Sequence, residues 1–145
     1  MALKETIEIG RPPQEVFDYV GDLARHPEWQ VKLLDVKVET EGPVRVGTRV
    51  KQTRRVGGGT RTFTLEVTGH DPPTRFEFTG IDGPIRPHGK GLLEPIEGGQ
   101  RTRFTNELEF KGHGLGILLA PLVRRDARKQ LPENLQRLKQ KLESS

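Results

Sequence analysis

Apolar and polar residues alternate with the period of a β-strand along most of the chain. Leu3, Ile7 and Ile9 alternate with charged or hydroxyl neighbours, which predicts a half-buried strand from Leu3 to Ile9. The same alternation returns at 34–38, 50–54, 63–67, 76–78, 90–96 and 104–110. Glycines and prolines are spread between these segments and predict turns, among them a hairpin turn at Gly57-Gly58-Gly59.

Two short helices are predicted directly after the first strand. Pro12 and Pro13 suit a helix start, where a missing N–H costs little. Gly21 ends that helix, and Asp22 is expected to cap a second one that stops before Pro27.

A long amphipathic helix is predicted at 115–143. Its apolar residues recur every three or four positions: Leu115, Leu118, Leu119, Leu122, Val123, Ala127, Leu131, Leu135, Leu138 and Leu142. We interpret them as one apolar stripe that runs the length of the helix. Gly112, Gly114 and Gly116 predict a loose hinge before it, and Pro132 predicts a kink within it.

Composition limits the class of protein. The 145 residues predict a single domain over 1–145, and the absence of cysteine excludes disulfides and thiolate chemistry. The first residues lack the apolar core of a signal peptide, and no apolar run approaches the roughly 20 residues that span a bilayer. We therefore expect a cytoplasmic protein without a membrane span.

Positive charge is concentrated in one stretch. The net charge is +4, and no acidic residue falls between Glu41 and Glu66. Such a patch can attract an anionic partner, but a solvated strand face and hairpin is the favoured interpretation. Nucleic acid is not an expected partner, whereas a peripheral membrane contact through this patch or through Arg124, Arg125, Arg128 and Lys129 stays open.

Polar residues on the predicted inner face are candidates for ligand binding. By alternation, Asn106 shares a face with Phe104, and Gln52 shares one with Val50. Both amides either orient a ligand or bond each other, the backbone or water. Arg54 falls on the same face as Gln52, but we expect it to reach solvent at the sheet edge because a buried unpaired charge is costly.

Other candidates are aromatic or titratable. Trp29 is interpreted either as part of a pocket entrance or as a packing anchor. His88 lies in the irregular segment 81–89, which is predicted to be a mobile loop over an opening. The remaining candidate lining residues are Phe63, Phe76, Phe78 and Phe104.

Catalytic and metal-binding motifs are not evident. The four histidines show no metal-ligand spacing, and the chain has neither G-x-S-x-G nor a phosphate-binding loop. We predict no metal and no cofactor. If the protein is an enzyme, His88 and Asn106 are the candidate catalytic residues.

Several segments in order carry a resemblance to a known family. They are IGRPPQEVFDY at 9–19, DLARHPEW at 22–29 (D-x-x-x-x-P-x-W), VGT at 46–48, DPPTRF at 71–76, EP at 94–95 with GG at 98–99, and NLQRLK at 134–139. The chain thereby resembles the START/Bet v 1-like (SRPBCC) superfamily, and within it the polyketide cyclase/dehydrase and lipid-transport family. Gln100 after the glycine pair and Pro132 in the last helix depart from the family pattern.

The resemblance implies an α+β helix-grip fold, in which a curved seven-stranded antiparallel sheet surrounds the long C-terminal helix. It also implies an internal cavity for a hydrophobic small molecule such as a lipid, quinone or polyketide. We expect a binding or carrier protein. The alternatives are a cyclase or dehydratase acting on a polyketide-like substrate, and a protein-interaction module that uses the basic surface. The oligomeric state stays open.

Overall fold

The computed structural model describes residues 2–56 and 58–144. In chain order the elements are β1 (Leu3–Ile9), α1 (Pro13–Val20), a 3₁₀ helix (Leu23–Glu28), β2 (Leu33–Val38), β3 (Arg49–Val56), β4 (Gly59–Asp71), β5 (Arg75–Gly80), β6 (Ile85–Ile96), a 3₁₀ turn (Glu97–Gly99), β7 (Arg101–Gly112) and α2 (Gly116–Glu143). This order confirms the predicted α+β helix-grip fold.

The seven strands form one antiparallel sheet in the order β1-β7-β6-β5-β4-β3-β2. Strands adjacent in sequence are adjacent in space from β2 to β7, and β1 joins the far edge by pairing with β7. Val56 pairs with Gly59 in the β3–β4 hairpin, and the predicted turn there falls partly outside the described residues, which do not include Gly57.

The second half of α2 closes the concave side of the sheet. Leu131, Leu135 and Leu138 are buried, and the last two pack with Ile9 and Phe104 in one core cluster. At roughly 25 cal/mol per Å² of apolar surface, burial of these leucines is a principal source of stability. α2 contacts β1 and β7 most extensively, so the helix lies along the edge at which the first and last strands pair.

The first half of α2 differs from the prediction. Leu115, Leu118 and Leu122 are 79%, 75% and 63% exposed, so the apolar stripe is not continuous. The side that faces the protein here carries Gly116 and Ala120 instead. These three leucines point away from the sheet because the 3.6-residue helical period puts them on a different side from Leu131. Leu119 and Val123 do pack against the core, so the predicted stripe holds for part of this half.

The connection into α2 is closely packed. Gly116 opens the helix, and a Cβ atom at this position would collide with the Pro84 carbonyl group. The His113 N–H donates to the same carbonyl over 2.8 Å. Gly112 in turn lies against the Gly116 backbone, whereas a Cβ atom at Gly114 would meet nothing within 4 Å. The predicted loose hinge is therefore wrong at Gly112 and Gly116, where the backbone is closely packed.

Pro27 does not end the second short helix as the sequence predicted. The 3₁₀ helix includes Pro27 and continues to Glu28, and the Asp22 side chain forms no capping hydrogen bond. A helix this short has few internal bonds, so a missing N–H costs little. α2 includes Pro132, where the sequence predicts a kink, and runs on to Glu143. Within residues 2–56 and 58–144, no helix combines the length and hydropathy needed to cross a membrane.

Candidate ligand-binding cavity

A cavity lies between the concave face of the sheet and the middle of α2. Its volume, counted as the space that the centre of a water molecule can occupy, is about 90 Å³. Its wall is formed by His26, Trp29, Gln30, Lys32, Gln52, Arg54, Arg55, Val56, Phe63, Phe76, Phe78, Pro87, Asn106, Leu108, Phe110, Val123, Asp126, Ala127, Gln130, Leu131 and Asn134.

Phenylalanines from three strands form much of the apolar wall. Phe63 comes from β4, Phe76 and Phe78 from β5, and Phe110 from β7. Phe76 and Phe78 pair across the ladder with Gly91 and Gly89 of β6. A Cβ atom at either glycine would overlap the ring opposite. The glycines thus let both rings lie against the β6 backbone, which leaves space for the cavity.

A polar cluster interrupts this apolar wall. Gln52 and Arg54 extend from the inner face of β3, and Gln30 follows the 3₁₀ helix. Arg54 Nε and Nη2 donate to Gln52 Oε1 over 3.3 and 3.2 Å, and Nη2 also donates to Gln30 Oε1. Gln30 and Gln52 are 8% and 2% exposed, so two buried neutral amides hold the guanidinium in place.

Arg54 corrects one prediction from the sequence. Its side chain turns into the cavity and is half-buried there, whereas the sequence predicted a side chain in solvent at the sheet edge. Burial lowers the pKa of Arg54 to about 10, because the charged guanidinium loses hydration. Strand alternation placed this residue inside correctly, whereas the general cost of burying a charge argued for the edge.

His26 is buried beside this cluster in its neutral form. Its Nε2 donates to the Val20 carbonyl over 2.7 Å, which leaves Nδ1 without a partner in the described residues. Burial lowers the pKa of His26 to about 4, and the charge of Arg54 acts in the same direction. Trp29 packs edge-on at 5.4 Å between ring centroids, and its buried Nε1 also lacks a partner in residues 2–56 and 58–144.

Polar contacts tie α2 to the segment that precedes β2. Lys32 Nζ lies 3.0 Å from Asp126 Oδ1, and Gln130 Nε2 donates to Asp126 Oδ2 over 2.7 Å. One helical turn further, Asn134 Oδ1 accepts the Val31 N–H over 3.0 Å. These bonds fix the part of α2 that lines the cavity against the segment before β2.

Most of the candidate residues from the sequence meet at this cavity. Trp29, Gln52, Phe63, Phe76, Phe78 and Asn106 all line it. The Asn106 side chain forms no hydrogen bond with any described residue, so its amide is available to a ligand. Trp29 is 2% exposed and belongs to the core cluster, so it packs as an anchor while one side of it contributes to the cavity wall.

Two candidates lie elsewhere. Phe104 is fully buried and stacks behind Phe76, with 6.3 Å between ring centroids, so it supports the wall without lining it. His88 is part of β6 and not of a loop, because the strand begins at Ile85. Its Nε2 lies 3.8 Å from Glu77 Oε1 on the outer face, opposite the cavity. The predicted loop is thus wrong from Ile85 onward.

Sequence analysis missed several residues of the cavity. The position of His26 before Pro27 indicates only a helix end, and nothing in the local pattern marks Gln30 or Asn134 as a cavity residue. The D-x-x-x-x-P-x-W segment could have indicated His26 and Gln30, because His26 lies within it and Gln30 directly follows Trp29. Asn134 lies one helical turn before Leu138 on the apolar side of α2, and a polar residue there needs a partner or a ligand.

A sheet that grips a helix over an apolar cavity defines the helix-grip class of ligand-binding domains. The sequence profile of the polyketide cyclase/dehydrase and lipid transport family matches residues 2–143. The chain belongs to this family. Among curated proteins, no sequence matches.

Solved structures share the fold across nearly the whole chain. Zhui aromatase/cyclase from Streptomyces sp. R1128 has a TM-score of 0.84 at 13% identity, covering 99% of this chain and 93% of that one. TTHA0849 from Thermus thermophilus has a TM-score of 0.81 at 20% identity, with 99% and 98% covered. A START superfamily protein from Mycobacterium smegmatis has a TM-score of 0.75 at 14% identity, with 99% and 97% covered. At these identities the likeness shows the fold alone.

Proposed function

We propose that this protein binds and carries a hydrophobic small molecule in the cavity between the sheet and α2. The observation that carries the proposal is the composition of the cavity wall, in which phenylalanines surround a few fixed polar groups. Small-molecule sites typically have this composition, because apolar surface supplies affinity and a few polar groups fix orientation. The family, whose description includes lipid transport, supports the same class of ligand.

Binding is better supported than catalysis. His88, one of the two candidate catalytic residues, lies on the outer face of the sheet and cannot reach a ligand in the cavity. His26 lines the cavity, but with a pKa of about 4 its imidazole is a weak base at neutral pH. A cyclase or dehydratase stays the second candidate, because the family includes such enzymes and Asn106 remains available to polarise a carbonyl group.

Filling the cavity tests the proposal. Ala127 lines it from α2, whereas Ala24 is exposed on the 3₁₀ helix, so Ala127→Trp and Ala24→Trp form a matched pair. The probe is N-phenyl-1-naphthylamine, a neutral dye whose fluorescence rises in apolar surroundings. We expect the wild type and Ala24→Trp to bind the dye and Ala127→Trp to lose binding at least about tenfold, since the indole occupies the space of the ligand.

Circular dichroism of both variants shows whether the fold is retained. Equal dye binding by the wild type and a folded Ala127→Trp variant would place the site elsewhere. Native mass spectrometry of freshly purified protein adds an independent result, because a co-purifying hydrophobic molecule would identify the ligand class directly.

A further inference from the structure

Charged residues around the cavity are mostly positive. Lys32, Arg54 and Arg55 line it together with a single carboxylate, Asp126. That carboxylate already pairs with Lys32, over 3.0 Å. Arg55 is exposed to solvent, so its charge is hydrated. Arg54 is therefore the cation for which the cavity has no counter-charge.

Arg54 also has unused hydrogen-bonding capacity. Its Nε and Nη2 donate to the neutral oxygens of Gln52 and Gln30, whereas the two N–H groups of Nη1 donate to no acceptor in residues 2–56 and 58–144. No acidic side chain within these ranges forms an ion pair with it. The two glutamines hold the guanidinium but leave its charge uncompensated.

A charge in this position is costly unless something neutralises it. Arg54 is half-buried, and the buried part of an ionised group without a counter-charge loses hydration that neutral amides compensate only in part. A bound anion would remove this cost, because a charge-assisted bond inside a cavity is stronger than one at the surface.

We infer that the cavity takes an amphipathic molecule that carries a carboxylate, with the carboxylate at Arg54 and the apolar body against Phe63 and Phe78. This inference rests on the proposed function and names the ligand class of the same site. A single uncompensated guanidinium matches a single negative charge. A phosphate brings a third oxygen and up to a second charge. The other cations that line the cavity are Lys32, which is paired with Asp126, and Arg55, which is exposed to solvent.

A matched pair of ligands tests the inference. 2-Naphthoate and 2-naphthamide have the same ring system and nearly the same shape, but only the first is an anion at pH 7. We expect calorimetric titration of the wild type to show at least about tenfold tighter binding of the carboxylate, as a charge-assisted hydrogen bond provides. Lowering the pH until the naphthoate protonates should remove the preference.

Variants assign the preference to one side chain. Arg54→Met keeps roughly the length of the side chain and loses the charge, and we expect the ratio of carboxylate to amide affinity to fall towards one. Arg54→Lys should keep part of that preference. Arg49→Met is the control, because Arg49 lies on the outer face of the same strand, 3.1 Å from Glu66, and should leave both affinities unchanged.

Each result has a distinct meaning. A wild type that binds both compounds equally, or a folded Arg54→Met variant that keeps the preference, would overturn the inference while leaving the proposed function intact. If neither compound nor the neutral dye binds, the proposed function fails and the inference fails with it. The wild-type comparison decides the matter even if Arg54→Met does not fold.

Discussion

His26 should make the stability of this protein depend on pH in a predictable direction. The imidazole is fully buried and neutral in the folded state, with a pKa of about 4, while an unfolded chain has the ordinary value near 6.5. Between these values the unfolded state binds one more proton than the folded state. Stability is therefore complete above about pH 6.5 and falls as the pH drops towards 4.

The magnitude follows from the width of that window. Each pH unit within it contributes about 1.4 kcal/mol. The interval from 6.5 to about 4 therefore gives a loss of roughly 3 kcal/mol from this residue alone. That is a large share of the stability of a typical domain, about 5–15 kcal/mol.

His26→Gln isolates this contribution, because a glutamine amide can still donate to the Val20 carbonyl but does not titrate in this range. The assay is urea unfolding from pH 4.5 to pH 7, followed by the fluorescence of Trp29, which is the only tryptophan and lies beside His26. Wild type should lose stability steeply with falling pH, and His26→Gln should lose it with a clearly shallower slope.

His88→Gln is the control, because His88 lies half-exposed on the outer face of the sheet. Its unfolding free energy should follow the wild-type slope. Parallel curves for wild type and His26→Gln would refute the reasoning, since they would mean that His26 titrates normally in the folded state. Histidine proton resonances measured against pH give an independent value for the pKa of His26.

Three further predictions concern single side chains. Phe104→Ala should cost about 3–5 kcal/mol in chemical unfolding, because the ring is fully buried against Phe76; a loss below about 1 kcal/mol would contradict this packing. Glu143→Gln should cost less than about 1 kcal/mol at pH 7, because the carboxylate that accepts the Gly10 N–H over 2.7 Å is partly exposed. The same bond holds the pKa of Glu143 below its usual value, so wild type should lose this advantage as the pH falls through that lowered pKa, and the two proteins should then unfold alike. Asn106→Leu should weaken binding of 2-naphthamide by about 1–3 kcal/mol, and an unchanged affinity in the folded variant would remove Asn106 from the site.

The strands could be predicted because their side chains obey a simple rule. Phe63, Leu65 and Val67 are buried while their neighbours are not, as a strand with one wet face requires. In β7, Phe104 is fully buried, but Leu108 is only half-buried, because it faces the cavity and not packed side chains. Periodicity thus indicates the face of each residue but not whether that face meets the core or open space.

Predictions failed where a residue's role depended on distant parts of the chain. A three-or-four spacing can be followed from Leu118 to Leu138, but it does not show which side of the helix meets the sheet at each turn. Segment 81–89 contains glycine and proline, which favour a loop, yet pairing with β5 and β7 holds its second half in β6. The general cost of burying a charge argued against an Arg54 side chain in the cavity. Gln30, which is distant in sequence, accepts a hydrogen bond from Arg54 there and offsets part of that cost.

The glycines at 89 and 91 have a consequence for how this site can change. Because Phe78 and Phe76 lie directly over them, one added methyl group on β6 would drive a ring towards α2. The volume of the cavity therefore depends on Gly89 and Gly91, although neither residue has a side chain that could contact a ligand. A substitution at either position would change the size of ligand that fits, without changing the identity of any side chain that contacts the ligand.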